Sequence, residues 1–188
     1  MDRVAVIDFE TTGLSPAQGD RATEIAAVLL ENGKIVDRYQ SLMNTGVRIP
    51  SFIEDITGIS NAMIRRAPSA ENVMHEVTNF VGDIPFVAHN ASFDRRFWDA
   101  EVQRINRTRR QEFACSLLLS RRLMPYAPSH KLSKLIEFAN LPMAARAHRA
   151  LADAEMAASL LSHLVDKLHR KFGIQHVTHE LLCKIQGI

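Results

Sequence analysis

The sequence predicts a mixed α/β fold, a sheet covered by helices, and three observations carry that reading. Val4-Ala5-Val6-Ile7 is a short β-branched run suited to a strand buried on both faces. Thr23 to Leu30 and Lys34 to Leu42 are further strand-like runs joined by Asn32-Gly33, a two-residue hairpin signal, so the chain opens with an antiparallel meander. Beyond Pro68 short apolar runs alternate with stretches of helical periodicity, which implies strands interleaved with helices.

The first run stops at Asp8-Phe9-Glu10-Thr11-Thr12-Gly13. Side chains alternate along a strand, so Asp8 and Glu10 project to one side and Phe9 to the other. Two neighbouring acids repel each other, and keeping both ionised is costly without a cation. Oxygen-only ligands favour a hard divalent ion such as magnesium or manganese. The hexapeptide alone leaves a second reading open, a solvated strand end followed by a Thr-Thr-Gly turn. Leu14-Ser15-Pro16 and Gly19-Asp20 then make a loop, and Glu24, starting the second strand, is expected in a polar contact and not as a ligand.

Ser51 to Met63 reads as short helical turns broken at Thr57-Gly58. Ser69 is placed to cap a helix whose apolar face is Val73, Val77, Phe80 and Val81, ended by Gly82-Asp83. Pro85 to Ala88 is a short buried strand, followed by His89-Asn90-Ala91-Ser92-Phe93-Asp94 and a helix carrying Phe93, Phe97, Val102 and Ile105. His89 is expected to position the Asn90 loop. Phe113 to Cys115 forms another strand, with Ser116 capping a helix over Leu117 to Met124. Pro125 and Pro128 precede a helix carrying Leu132, Leu135, Ile136 and Phe138. Leu141 to Arg146 reads as a loop, the last long helix starts near Ala147 to Leu151, and a short helix around Val177 to Ile185 ends the pattern.

The 188 residues suit one domain, and 46% hydrophobic with 23% charged residues is the composition of an ordinary soluble globular protein. No apolar run approaches the roughly 20 residues needed to span a bilayer. Asp2 leads straight into the first strand, so no signal peptide is expected and the reading is cytoplasmic, with Cys115 and Cys183 as plain buried thiols. Charge is uneven: residues 1–94 carry 7 Lys/Arg against 13 Asp/Glu, residues 95–149 carry 12 against 4. A basic middle beside an acidic metal-type site suits a polyanionic substrate. Arg104, Arg107, Arg109 and Arg110 read equally as a solvated helix end and loop.

Acidic residues fall at three structural breaks. Asp8 and Glu10 end the first strand, Asp94 opens the helix after a buried strand, and Asp153 lies in the early turns of the last long helix, five residues after His148. Ligands in α/β proteins gather at strand ends and the helix starts that follow them, so the four carboxylates can converge on one edge of the sheet.

The ordered strings DFETTG, HNASFD and HRALAD resemble the three motifs of the DEDDh 3′→5′ exonucleases, from Val4 to about Leu168. The resemblance implies an RNase H-like fold, a mixed five-stranded sheet with an antiparallel meander, flanked by helices. It implies that Asp8, Glu10, Asp94 and Asp153 hold two divalent cations, Mg2+ or Mn2+, and that His148 is the general base of a two-metal phosphodiesterase. It further implies that Phe9, Thr11, Thr12, Gly13 and Leu14 form the turn at the terminal nucleotide, that Ile59 packs near it, that Phe93 lines the strand channel, and that Asn90 is among the substrate-binding residues. An exonuclease domain over 1–172 with a short extension over 173–188 follows.

The activity implied is release of nucleoside 5′-monophosphates from single-stranded DNA 3′ ends, with RNase T-like trimming of RNA ends as the rival. A homodimer or association with a polymerase is the partner expectation, and no membrane is implied. From another class, a non-catalytic 3′-end-binding or polymerase accessory module would be marked by loss of an acid or of the histidine, and all five residues are present.

Overall fold

Three antiparallel strands come first: β1 (Val4–Thr11), β2 (Ala22–Glu31) and β3 (Lys34–Leu42). The computed structural model describes residues 1–143 and 148–187. The β2–β3 turn is Asn32-Gly33, both with positive φ (50° and 75°), the conformation whose twist matches a two-residue hairpin. β1 runs further than the apolar pattern suggests. Asp8 and Glu10 lie inside the strand, opposite Ala26 and Glu24, and the ladder breaks only between Glu10 and Thr11. Pairing with β2 carries the strand past its last aliphatic residue.

Two short turns of helix, α1 (Ser51–Thr57) and α2 (Asn61–Arg65), meet at the expected break, where Gly58 adopts a left-handed φ of 69°. α3 (Ala70–Val81) starts at Ser69, whose hydroxyl accepts from the Asn72 N–H. Then come β4 (Phe86–Ala88), α4 (Ala91–Arg104), β5 (Phe113–Cys115) and α5 (Ser116–Leu123). Ser116 is not the cap of α5. Its hydroxyl is taken by His89 Nδ1 (3.0 Å) and the Ala88 carbonyl (3.4 Å), and Cys115 holds the cap position. α6 (Leu132–Phe138), α7 (Ala150–Phe172) and α8 (His179–Gln186) complete the chain. Residues 144–147, within the expected loop and at the expected start of the long helix, lie outside the described residues. Among the latter, no helix is long and apolar enough to cross a membrane.

The sheet order is β3-β2-β1-β4-β5, with β4 and β5 parallel to β1. Alternation along β1 sorts its residues between two cores. Val4 and Val6 join Ala26, Val28 and Leu30 of β2 against α5, α6 and α7. Ala5, Ile7 and Phe9 join Ile25, Ala27 and Leu29 against α3 and α4. The sheet is therefore the middle layer of three. On α7 the residues turned to the sheet include Ala150, Ala154, Ala157 and Ala158, whose small side chains let the helix lie close to β1 and β2.

The two sheet edges are handled differently. β3 exposes Lys34, Asp37 and Arg38, charges that discourage edge pairing. At β5 the Gln186 side chain acts as a surrogate strand: its Oε1 accepts from the Cys115 N–H (2.6 Å) and its Nε2 donates to the Phe113 carbonyl (3.3 Å). Cys115 is buried and Cys183 partly so, and both are free thiols.

Candidate active site

The placement of the acids follows from strand parity. Even-numbered residues of β1 face α7, so Asp8 and Glu10 continue the row begun by Val4 and Val6. Asp153 stands in the first turn of α7 and meets them there. One carboxylate oxygen each from Asp8, Glu10 and Asp153 lie within 4.8 Å of one another. Asp94 reaches the same end of the sheet from the other face, in the first turn of α4. It is 3% exposed, and its Oδ1 accepts from the Phe9 N–H at 3.2 Å. The structure thus gathers three of the four expected acids closely and sets Asp94 beside them, hydrogen-bonded to the backbone between Asp8 and Glu10.

Burial and mutual repulsion disturb every one of these carboxyls. Asp8 is held well above the usual carboxylate range by burial first, then by Asp94, Asp153, Glu10 and Glu24. Glu10 is pushed up to about 8 by burial, then by Asp153 and Glu24, with Arg149 opposing. Asp94 is pushed up to about 8, mainly by burial, although the Phe9 N–H pulls it down. Asp153 is raised by burial and drawn back by His148, through its ring and its backbone. Such a cluster is costly to ionise by itself, and a divalent cation relieves that cost while taking the oxygens as ligands. Asp8, Glu10 and Asp153 therefore fit a hard cation.

His148 is exposed, has a left-handed φ of 60°, and precedes the start of α7 by two residues. Arg149, next to it, is clamped by Glu24, for which the sequence predicts only a polar contact. Glu24 is fully buried and accepts from Arg149 Nε (3.0 Å) and Nη2 (2.7 Å), the Ala150 N–H (3.0 Å) and Gln40 Nε2 (2.6 Å). Glu24 also faces Glu10 directly across the β1–β2 ladder, a like-charge pair that Arg149 offsets. A second clamp fixes the other approach to β2: buried Glu101 takes Arg21 Nε (2.7 Å) and Nη2 (2.8 Å). A glutamate inside the apolar run Ala22 to Leu30 was the only trace of the first clamp in the sequence; its partner lies 125 residues away.

The turn after β1 is braced from within. The Thr12 N–H donates to the Arg21 carbonyl (2.9 Å), Thr11 Oγ1 donates to the Gly13 carbonyl (2.6 Å), and the Ser15 N–H donates to Asp20 (2.9 Å). A Cβ on Gly13 would overlap the Asp20 carboxylate, which is why glycine stands there. Leu14, at the tip, is 77% exposed, a large apolar side chain held out into solvent. Thr11 and Thr12 are buried.

Two of the residues expected near the substrate have side chains turned into the protein. The Phe9 side chain packs on Phe97 and Trp98 in the core, because strand alternation turns it away from the acids, so only its backbone faces the site. Ile59 is wholly buried with Ile49 and Ile64 in a small separate cluster, where its neighbours already cover it. Phe93 is half-buried against Phe97, ring centroids 4.9 Å apart, and Asn90 is exposed with a left-handed φ of 70°. His89 ties that loop down through Ser116 and the His130 carbonyl (3.0 Å each), and burial lowers its pKa to about 4. The arginine run lies elsewhere. Arg107 binds Thr78 and Arg109 pairs with Asp99, before the N-terminal end of β5 and so at the end of the sheet away from the acids, while Arg104 leans on Glu101, which also holds Arg21 at the start of β2. Arg104, Arg107 and Arg110 are exposed, whereas Arg109 is partly buried over the Phe113 ring.

Residues 5–161 match the family model RNase_T, described as exonuclease. The chain belongs to the exonuclease family. It is 38% identical over 172 residues to the 3′-5′ exonuclease DinG of Bacillus subtilis, covering 89% of this chain and 18% of that protein. It is 36% identical over 173 residues to a PolC-type DNA polymerase III of Caldanaerobacter subterraneus, covering 92% and 12%. The chain thus spans less than a fifth of the curated relatives it matches. Among solved structures, Exonuclease X in complex with 5′ overhanging duplex DNA aligns over 100% of both chains, with a TM-score of 0.77 and 30% identity. E. coli Exonuclease I in complex with a dT13 oligonucleotide shares the fold, at a TM-score of 0.79 and 16% identity over 92% of this chain and 43% of that one. The exonuclease family depends on divalent metal, in keeping with the acidic cluster.

Proposed function

We propose that this chain is a metal-dependent 3′→5′ exonuclease that hydrolyses the terminal phosphodiester of single-stranded DNA and releases nucleoside 5′-monophosphates. The observation that carries the reading is the convergence of Asp8, Glu10 and Asp153 within 4.8 Å, beside buried Asp94, in a chain of the exonuclease family. Asp8, Glu10, Asp153 and Asp94 are assigned to two divalent cations, Mg2+ or Mn2+. Bound there, the ions neutralise charge on the reacting phosphate, lower the pKa of a water and stabilise the leaving 3′ oxygen.

The remaining work falls to the chain. An imidazole nitrogen of His148 accepts the proton of the attacking water; its exposed position just ahead of α7 leaves it free to meet a substrate. Arg149, held by Glu24, fixes the backbone between His148 and Asp153. Leu14 packs on the terminal base while the braced Thr11-Thr12-Gly13 turn brings backbone close to the nucleotide. The water adds to phosphorus, the bond from phosphorus to the upstream 3′ oxygen breaks, and the shortened strand leaves with a new 3′ hydroxyl. Similarity to PolC-type polymerases supports, in addition, a polymerase as partner.

Matched DNA and RNA oligonucleotides labelled at the 3′ or 5′ end, incubated with Mg2+ or Mn2+ and with EDTA, test this. Metal-dependent release of labelled mononucleotide from the 3′ end of DNA is expected. Preferential loss of RNA ends would replace the substrate, and end binding without release in any metal would overturn the enzyme.

A further inference from the structure

The segment from Thr12 to Arg21, which forms the turn after β1, has no apolar anchor in the core. Leu14 and Ala17 are exposed, and Pro16 is only partly buried. Its order is internal: Asp20 accepts from the Ser15 N–H (2.9 Å) and from Thr12 Oγ1 (3.4 Å), and Pro16–Gln18 forms a single 3-10 turn. Thr12 and Arg21 close the neck, the Thr12 N–H donating to the Arg21 carbonyl (2.9 Å) and the Arg21 N–H donating to Thr12 Oγ1 (3.0 Å). Apart from the Thr11 hydroxyl at the root of the turn, the hydrogen bonds that tie this segment to the rest of the protein are, among the described residues, the two from the Arg21 guanidinium to Glu101.

Glu101 is 1% exposed and lies seven residues after Asp94 on α4. Seven residues are two helical turns, so the two carboxylates share one face of the helix, about 10 Å apart along its axis. Between them Phe97 and Trp98 pack on the Phe9 ring. α4 therefore grips the chain at three heights: Asp94 on the Phe9 N–H, the aromatic pair on Phe9, and Glu101 on Arg21. Glu101 Oε1 accepts from Arg21 Nε (2.7 Å) and from the Ala22 N–H (3.4 Å), and Oε2 accepts from Arg21 Nη2 (2.8 Å) with Arg104 Nε at 3.8 Å. A planar guanidinium held by both carboxylate oxygens fixes direction as well as distance, which an apolar contact does not. A buried ion pair is often no more stabilising than packed apolar side chains of the same volume, so what this pair supplies beyond them is geometry. The helix that carries Asp94 thereby also sets where the turn stands.

We propose that Glu101 is a positioning residue for the terminal nucleotide: through Arg21 it holds the Thr12-Gly13-Leu14 turn in register with Asp94, so that a nucleotide bound at the turn presents its phosphate to the acids. Being buried, Glu101 acts only through Arg21. The proposal rests on the exonuclease reading for the role of the turn, while its effect on nucleotide affinity is measurable without turnover.

Hydrolysis of the p-nitrophenyl ester of thymidine 5′-monophosphate, a terminal nucleotide with nothing upstream, is followed with Mg2+ well below the Tm of every variant. Calorimetric binding of thymidine 5′-monophosphate and thermal melting accompany it. Arg21→Met should raise KM for the ester and Kd for the nucleotide about 10-fold, while kcat falls by less than about 3-fold. Arg21→Lys, which keeps the charge but not the two-pronged bond, should fall between the native chain and Arg21→Met. Arg21→Met and Glu101→Leu should each lower Tm by leaving one partner of the pair behind, and the double variant Arg21→Met, Glu101→Leu should melt above either single one. Its KM should nonetheless stay raised about 10-fold, which a merely structural pair would not give. Native KM and Kd in Arg21→Met, a loss confined to kcat, or a KM that returns to the native value together with Tm in the double variant would overturn the positioning role. Nucleotide binding that the variants weaken, in a chain that hydrolyses neither ester nor oligonucleotide with Mg2+ or Mn2+, would uphold the positioning and remove the exonuclease reading instead.

Discussion

Replacing Glu24 by alanine sets two large effects against each other. Glu24 faces Glu10 across the β1–β2 ladder; when Glu10 is ionised, at about 5 Å and an effective dielectric near 20, that repulsion is worth at most about 3 kcal/mol. The Arg149 guanidinium sits 2.7 Å away on the other side, worth about 6 kcal/mol on the same scale. Attraction wins, and two further donors, the Ala150 N–H and Gln40 Nε2, add to it. Deleting the carboxylate leaves a buried N–H without an acceptor and a guanidinium whose side chain is 23% exposed. Breaking a buried pair costs ~3–5 kcal/mol, and the partial access of Arg149 to water places the loss at the low end, ~3 kcal/mol. For a domain of this size that lowers Tm by about 6–12 °C. Glu24→Gln keeps the shape and one acceptor and should lose about half as much. Because Arg149 lies between His148 and the turn bearing Asp153, turnover should fall in both variants more than substrate binding does. Thermal melting followed by circular dichroism, with kcat and KM on a short oligonucleotide, measures both. An unchanged or raised Tm in Glu24→Ala would mean that repulsion dominates and would refute the clamp.

Stability should also depend on pH in a way set by the acids. The proton on Asp94 is bound more tightly in the folded chain, where its pKa is about 8, than in the unfolded one, near 3.8, so its contribution is full at low pH and is lost as pH rises towards 8. His89, lowered to about 4, acts oppositely, but only below about 6.5. Between pH 6.5 and 8 the metal-free protein should therefore lose ~2 kcal/mol through Asp94 alone, and saturating Mg2+ should flatten the melting profile. His148→Ala should reduce turnover by about 10²–10⁴-fold with Mg2+ affinity by calorimetry largely kept; unchanged turnover would remove its role as base. Gln186→Leu leaves the Cys115 N–H without its acceptor at the sheet edge and should cost about 2 kcal/mol in urea unfolding, whereas a neutral result would show that α8 holds β5 by packing alone.

Much of the fold was legible because its signals are local. Asn32-Gly33 fixes a hairpin, the Ser69 hydroxyl caps α3, and alternation along β1 places Asp8 and Glu10 on one face and Phe9 on the other. The features that escaped are made at long range. Ser116 fits a cap by position, yet His89 takes its hydroxyl from 27 residues away. Glu24 looks like an interruption in an apolar strand until Arg149 is brought to it. The basic central segment reads as one unit, but the chain divides it: Arg95, Arg121 and Lys131 go to the acidic end of the sheet, and Arg107 and Arg109 to the other. Ile59 lies in a stretch whose surroundings depend on how α1 and α2 fold onto the sheet, which no periodicity reports.

Release of nucleoside 5′-monophosphate by Asp153→Asn beside the native chain, at saturating Mg2+, tests the central claim most directly. The substitution keeps the shape of the side chain and removes one of the three clustered charges. A loss of turnover on the order of 10²–10³-fold or more, with a melting temperature equal to or above that of the native chain, is the predicted result. Native turnover in Asp153→Asn would contradict the assignment of Asp8, Glu10 and Asp153 as the catalytic centre.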